Sequence, residues 1–149
     1  VEAVILTGIQ GAGKSTFYAQ RFAETHVRLN LDMLKTRHRE QILLKACIEA
    51  KQPFVVDNTN VTVDERARYI VPAKQAGFRI VGYFFRATVG ELLQRNRQRP
   101  PHRVVPDQAI FGTYKRLQLP TLSEGYDILL TVQFGPTGEF LVEAWPEER

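Results

Sequence analysis

The sequence predicts an α/β domain built on a mostly parallel sheet with helices on both faces. Three observations predict it. Short apolar runs that read as buried strands alternate with longer segments of helical periodicity. A glycine-rich stretch, GIQGAGKST from Gly8 to Thr16, lies between the first such run and the first such helix. The last two strand-like segments are joined by Gly135-Pro136-Thr137-Gly138, a tight turn that predicts an antiparallel hairpin at one edge. In sheets of this kind, functional groups gather at the carboxyl ends of the strands.

Taken in order, the first strand covers about residues 2–7 and is carried by Val4, Ile5 and Leu6. A helix over about 14–25 follows, then a short strand from His26 to Asn30 and a long helix over about 32–51. Phe54-Val55-Val56 reads as a buried strand. Thr62-Val63-Asp64-Glu65 is a capping-box signature that opens a helix to Gln75, with Pro72 expected to kink or interrupt its later part. Phe78 to Phe85 is a strand, Val89 to Arg97 a helix, and Pro106 to Leu117 a helix with proline in its first turn. Asp127 to Phe134 and Glu139 to Trp145 form the hairpin.

Length and composition narrow the class. A chain of 149 residues without repeats, low-complexity tracts or linker-like stretches predicts one domain over 1–149, with no domain ahead of the first strand. No segment has the length and apolarity of a membrane span, and no secretory leader pattern precedes the first strand. Cys47, the single cysteine, excludes a disulfide framework within the chain, and we expect no disulfide-linked partner. A reducing cytoplasm fits that usage. The formal charge of +4 suits an anionic partner and equally a solvated surface.

Three groups follow strands and can carry chemistry. GIQGAGKST matches G-x-x-x-x-G-K-[ST], the Walker A phosphate loop. Gly8, Gly11, Ala12 and Gly13 let the backbone wrap a polyphosphate, with Lys14, Ser15 and Thr16 opening the helix beneath it. Lys14 would reach the β- and γ-phosphates of ATP or another nucleoside triphosphate, and the Ser15 hydroxyl would ligate Mg²⁺. In the second group, Asp32 reads either as a helix cap or as the base that takes a proton from an acceptor hydroxyl. Helical spacing puts Lys35, Thr36 and Arg39 on its face, with Lys35 and Arg39 joining Asp32 as substrate contacts, and leaves Arg37 and His38 as solvated charge. Asp57-Asn58-Thr59-Asn60, after the third strand, reads as a βα turn or as a metal-organising element, with Asp57 on Mg²⁺ and both Asp57 and Asn60 toward substrate. Spacing alone does not divide the roles of the two acids. The third group, Arg95 to Arg103, holds four arginines in a proline-bounded segment. It is a charged surface run or a lid in which Arg97 or Arg99 clamps phosphate.

With GAGKST, Asn30-x-Asp32, VVDNTN, Arg66-Ala67-Arg68-Tyr69, RNRQR and Pro120-Thr121-Leu122-Ser123-Glu124-Gly125-Tyr126 in view, the chain resembles the polynucleotide 5′-hydroxyl kinase family over nearly its whole length. Leu31 and Lys35 stand where members often carry arginine. The resemblance implies a three-layer, nucleoside-kinase-like P-loop fold with an arginine-rich lid. It implies Asp32 as the base, Lys14 and Arg99 with Arg97 as phosphate clamps, and Ser15 on Mg²⁺. The expected reaction moves the γ-phosphate of ATP to a hydroxyl, that of a 5′-OH nucleic acid end or of a small compound such as a sugar, nucleoside or antibiotic. A nucleotide-binding switch with weak hydrolysis is the remaining alternative.

Overall fold

In the computed structural model, which describes residues 1–146, the strand β1 (Glu2–Thr7) lies between two parallel neighbours. On one side it pairs with β3 (Phe54–Asp57), Leu6 standing opposite Asp57. On the other it pairs with β4 (Arg79–Phe85). β2 (Val27–Leu29) extends the sheet beyond β3, and β5 (Ile128–Phe134) extends it beyond β4. The order is β2-β3-β1-β4-β5-β6, and β6 (Phe140–Ala144) is the antiparallel edge strand that the turn at 135–138 predicts.

The unbroken apolar run of β1 follows from burial on both faces, which parallel sheets with helices on either side require. Ala3 and Ile5 face the core formed with α3 (Arg37–Ala50) and α4 (Val63–Gln75), through Leu44, Cys47, Tyr69, Ile70 and Ala73. Val4 and Leu6 face the opposite core, with Phe17 of α1 (Lys14–Arg21), Leu92 of α5 (Val89–Arg97) and Ile110 of α6 (Asp107–Arg116). The three layers are therefore helix, sheet, helix. Phe17 anchors the second core, with Phe22, Tyr83, Phe85 and Phe140 edge-on around it at 5.1 to 5.9 Å.

Several elements differ from the sequence expectation. The helix expected over 32–51 is two helices, α2 (Leu31–Leu34) and α3, separated by Lys35 at φ 74°. Thr36 caps α3 by accepting the Arg39 N–H at 3.1 Å, so a hydroxyl that spacing assigns to a helix interior starts a new helix instead. α1 ends at Arg21 with the Phe22 amide closing its last turn on the Tyr18 carbonyl, and the amides of Thr25 and His26 share the Phe22 carbonyl in a separate turn. α4 runs through Pro72 to Gln75, forgoing the ladder bond that a Pro72 N–H would make to the Arg68 carbonyl. Its capping box is shifted. Thr62 accepts the Glu65 N–H, while the Glu65 carboxylate accepts from Val61 rather than Thr62.

A buried ion pair locks the 120–126 segment to α4. Arg66, fully buried, donates from Nε to Glu124 Oε1 at 2.7 Å and from Nη2 to Glu124 Oε2 at 3.1 Å. Its Nη1 donates to the Asn60 carbonyl at 2.8 Å, and Glu124 also accepts the Thr121 N–H. Every polar group of the pair has a partner, which is the condition for tolerating two charges out of water. Arg66→Ala strands the Glu124 carboxylate in a dry site, and we expect a loss of about 3–5 kcal/mol in urea-unfolding free energy. A loss under about 1 kcal/mol would mean that water reaches Glu124 in solution.

Candidate active site

The ends of β1, β2 and β3 deliver the phosphate loop, Asn30 with Asp32, and Asp57 to one edge of the sheet. Gly11 and Gly13 take φ of 87° and 96°, a left-handed backbone open to glycine. Gly13 also lacks room for a side chain, since a Cβ there would stand 2.7 Å from the Phe134 ring. Gly8 and Ala12 are buried at the base of the loop, while Ser15 and Thr16 lie at its open side. Lys14 spans the loop from within, donating to the carbonyls of Gly8 at 2.8 Å and Ile9 at 3.2 Å. Burial pushes its ammonium down to about 8; Arg99 lowers it further, while Asp57 and Asp32 draw it up. The first N–H groups of α1 have no carbonyl within the helix to bond, so they complete an anion cradle.

Asp57 is buried and accepts the Ser15 hydroxyl at 3.0 Å, joining the two residues expected at the metal. The remainder of Asp57-Asn58-Thr59-Asn60 is a stitch. The Thr59 carbonyl accepts the Gly8 N–H at 3.0 Å, and the Asn60 amide donates to the Leu6 carbonyl at 2.8 Å. Asn60, with φ 48° and 3 % exposure, is turned into the fold rather than toward a substrate. Asn58 accepts the Leu31 N–H at 2.9 Å and so holds the first turn of α2, while Asn30 donates to the Asp57 carbonyl and caps α2 at Met33. Asp32 rides on α2, exposed to solvent, with its charge felt by both Lys14 and Arg99.

The arginine segment sorts itself by partner. Buried Asn96 bonds the Val105 N–H and C=O, closing residues 96–105 into a loop whose base is fixed. Arg97 points away, 66 % exposed, and pairs with Asp107 at 3.6 Å. Arg99 is half-buried with Nη1 shielded from water and unmatched by any acceptor of the described residues. Burial and the neighbouring Arg103 lower its pKa, and Asp32 raises it. Of the two arginines put forward as clamps, Arg99 is the one whose charge couples to Lys14 and Asp32, while Arg97 pairs with Asp107 at the surface.

Lys35 and Arg39 do not share a helical face with Asp32, because α2 ends between them. Lys35 is an exposed junction residue, and Arg39 donates to the Leu34 carbonyl at 3.1 Å. Arg37, expected as solvated charge, instead donates to Glu40 at 3.0 Å and to the Tyr69 hydroxyl at 2.9 Å. Buried Glu40 also accepts from Tyr69 and from the Asn58 amide, so this network orients the residue that holds α2. Burial and Glu40 push the Tyr69 phenol up to about 12, keeping it a donor. Arg28 is a further member that motif spacing passes over. Its guanidinium contacts Asp57 and Ser15 together, and the available signal was a cation at the centre of the short strand read from His26 to Asn30.

Among the described residues no three His, Cys, Asp or Glu side chains cluster as a metal site. The loop instead offers one hydroxyl and one carboxylate, hard oxygen groups of the kind that hold Mg²⁺ together with phosphate and water. α5 and the β5–β6 turn border an open cleft of about 320 Å³, lined by Glu91, Gln94, Arg95, Gln98, Phe134 and Gly135, whose Phe134 wall lies against Gly13. The Arg95 guanidinium stacks on Phe134 at 3.2 Å.

Residues 4–120 match the family model described as an AAA domain. A bifunctional polynucleotide phosphatase/kinase of Schizosaccharomyces pombe is 31% identical over 89% of this chain and 34% of its own length. An L-seryl-tRNA(Sec) kinase of Methanococcus maripaludis is 26% identical over 84% of this chain and 56% of its own. The chain thus spans between a third and rather more than half of these relatives. Among solved structures, a gluconokinase from Sinorhizobium meliloti superposes with a TM-score of 0.62 at 18% identity, over 89% of this chain and 82% of that one. Kti12 of Chaetomium thermophilum, in complex with ADP-AlF3, gives 0.63 at 15% identity, over 88% of each chain. These likenesses show the P-loop kinase-like fold.

An anion brought to the loop favours the charged form of Lys14, whose proton is half lost near pH 8 in the free protein. ADP binding in EDTA at pH 8.5 is therefore expected to take up as much as about three quarters of a proton. At pH 6.5 it takes up none through this group, and affinity falls as pH rises through 8. Calorimetry in buffers of different ionisation enthalpy measures the uptake, which Lys14→Met should abolish. Equal uptake by parent and variant would assign the proton elsewhere.

Proposed function

The chain belongs to the AAA domain family, and from that premise we propose that it transfers the γ-phosphate of ATP to a hydroxyl carried by a nucleic acid, a 5′-OH end first of all. The observation that carries the reading is the convergence of Lys14, Asp32 and Arg99. Lys14 lies in the phosphate loop, Asp32 rides on α2, which Asn58 ties to the end of β3, and the shielded, unmatched Arg99 guanidinium couples electrostatically to both. A nucleotide switch needs no acceptor-side carboxylate there.

In the proposed reaction Asp32 accepts the proton of the acceptor hydroxyl, whose oxygen forms a bond to the γ-phosphorus. The bond from that phosphorus to the β–γ bridging oxygen breaks, and ADP leaves with the electron pair. Lys14 and Arg99 stabilise charge on the oxygens of the moving phosphoryl group. Mg²⁺, held through Ser15 and Asp57, would neutralise phosphate charge. The cleft beside Gly13 would take the nucleotide base, with Arg95 available to stack on it.

Two relatives whose names specify a polynucleotide and a seryl-tRNA as acceptor support a nucleic-acid substrate. Exposed Arg103, beside Arg99, supplies a cation for a phosphate beyond the reacting nucleotide. One observation favours a second reading. With Lys35 and Arg39 off the face of Asp32, fewer cations flank the base, and a small hydroxyl compound would need none of them. A cytoplasmic location belongs to the same proposal.

Asp32→Asn is expected to lower kcat by about 10²-fold or more with ATP affinity near the parent's. Arg99→Ala should lower kcat by up to about 10³-fold, while Arg97→Ala, paired with Asp107, stays near the parent. Steady-state kinetics with calorimetric ATP affinities make the comparison; an equal loss at Arg97 and Arg99 would return the segment to surface charge.

The acceptor is tested by γ-phosphate transfer to 5′-OH DNA and RNA oligonucleotides, nucleosides and sugars. We expect oligonucleotides to react fastest, with log affinity falling against log salt by about 0.7 per phosphate contact and by one contact less in Arg103→Ala. A flat salt profile with faster transfer to a nucleoside or sugar would make the small-molecule kinase the better reading.

A further inference from the structure

We propose that Arg28 reserves the metal site for cation that arrives with nucleotide, acting as an internal counter-cation on the Ser15–Asp57 pair. Its Nε donates to Asp57 Oδ2 at 2.9 Å, and its Nη2 lies 2.8 Å from the same oxygen. Nη2 also donates to Ser15 Oγ at 3.0 Å, while that hydroxyl donates to Asp57 Oδ2. The guanidinium thus takes one of the two lone pairs on Ser15 and neutralises the carboxylate that would attract a divalent ion. Ser15 keeps one lone pair, so its place at the metal is preserved.

Arg28 is held where it stands. Its backbone is in β2, opposite Val55 of β3, and its guanidinium lies 5.8 Å from the Tyr18 ring centroid. Tyr18 is itself fixed by donating to the His26 carbonyl at 2.6 Å. The side chain is only 21% exposed and its partner carboxylate 2%, so solvent screens the pair little. Around the loop, Lys14, Arg28 and Arg99 set three positive charges against two negative ones, Asp32 and Asp57. A free divalent cation meets net repulsion there. A nucleotide triphosphate, with its several negative charges, reverses the sign and makes room for the metal. Arg28 is in this sense an affinity-determining residue for the metal and takes no part in bond breaking.

The inference rests on Ser15 and Asp57 as the metal pair and is independent of the acceptor. Its test is Mn²⁺ binding, read by electron paramagnetic resonance of free Mn²⁺, with and without ADP. In the parent, Mn²⁺ alone should bind weakly, and ADP should strengthen it greatly. Arg28→Met, which removes charge at similar volume, should tighten binding of Mn²⁺ alone by at least about tenfold. Arg28→Lys, which keeps the charge, should remain within about threefold of the parent, a split that loss of packing alone does not produce. If Arg28→Met does not fold, Arg28→Gln, which retains a donor toward Asp57, carries the same tenfold expectation. A folded neutral variant that binds Mn²⁺ alone no better than the parent overturns the role of Arg28. Should Asp57→Asn leave the ADP-dependent Mn²⁺ binding untouched, the metal pair itself is misassigned, a different failure.

Discussion

The parallel pairing of β1 with β3 is the constraint on which the site depends. Register sets Leu6 opposite Asp57, so the chain leaves both strands at the same level. From there the phosphate loop and the Asp57–Asn60 turn run side by side, and each satisfies the other's backbone: Gly8 N–H to Thr59, Asn60 amide to Leu6. Polar backbone groups so close to the core must find partners, and here they find them across the two motifs. The consequence for chemistry is that Ser15 and Asp57, 42 residues apart in sequence, come to lie within a hydrogen bond.

Around that pairing, buried charge is used to hold loops rather than to react. Arg66 and Glu124 clamp the 120–126 segment while bracing the Asn60 carbonyl from behind. Glu40, Tyr69 and Arg37 do the same for Asn58, which carries the first turn of α2 and with it Asp32. A four-residue helix has no stability of its own, so its position is owed to these contacts. Two of the segments that carry the resemblance, VVDNTN and PTLSEGY, thus meet at Arg66. Asn60 and Glu124 in these segments serve the frame of the site.

Strands and phosphate loop were legible because their signals are local. Alternation of apolar runs, the glycine spacing and the hairpin turn each act within a few residues, and all six strands lie where those patterns put them. The failures are equally physical. Periodicity carried one helix through Lys35, where a left-handed residue and the Thr36 cap divide it, and with that break Arg39 leaves the face of Asp32. Arg97 and Arg99 both stood as candidate clamps in the sequence; Asp107, from the next helix, pairs with Arg97, and Arg99 Nη1 has no acceptor among the described residues.

By itself, then, the sequence determined the α/β class, the phosphate loop and the residue types available at the strand ends, since these depend on backbone preference and burial pattern. Tertiary structure alone decided which charges meet. Arg28 contacts Asp57 across 29 positions, and Arg66 reaches Glu124 across 58. Electrostatic and hydrogen-bonding energies depend on distances of a few ångströms in space, and linear spacing carries no record of them until the sheet order is set.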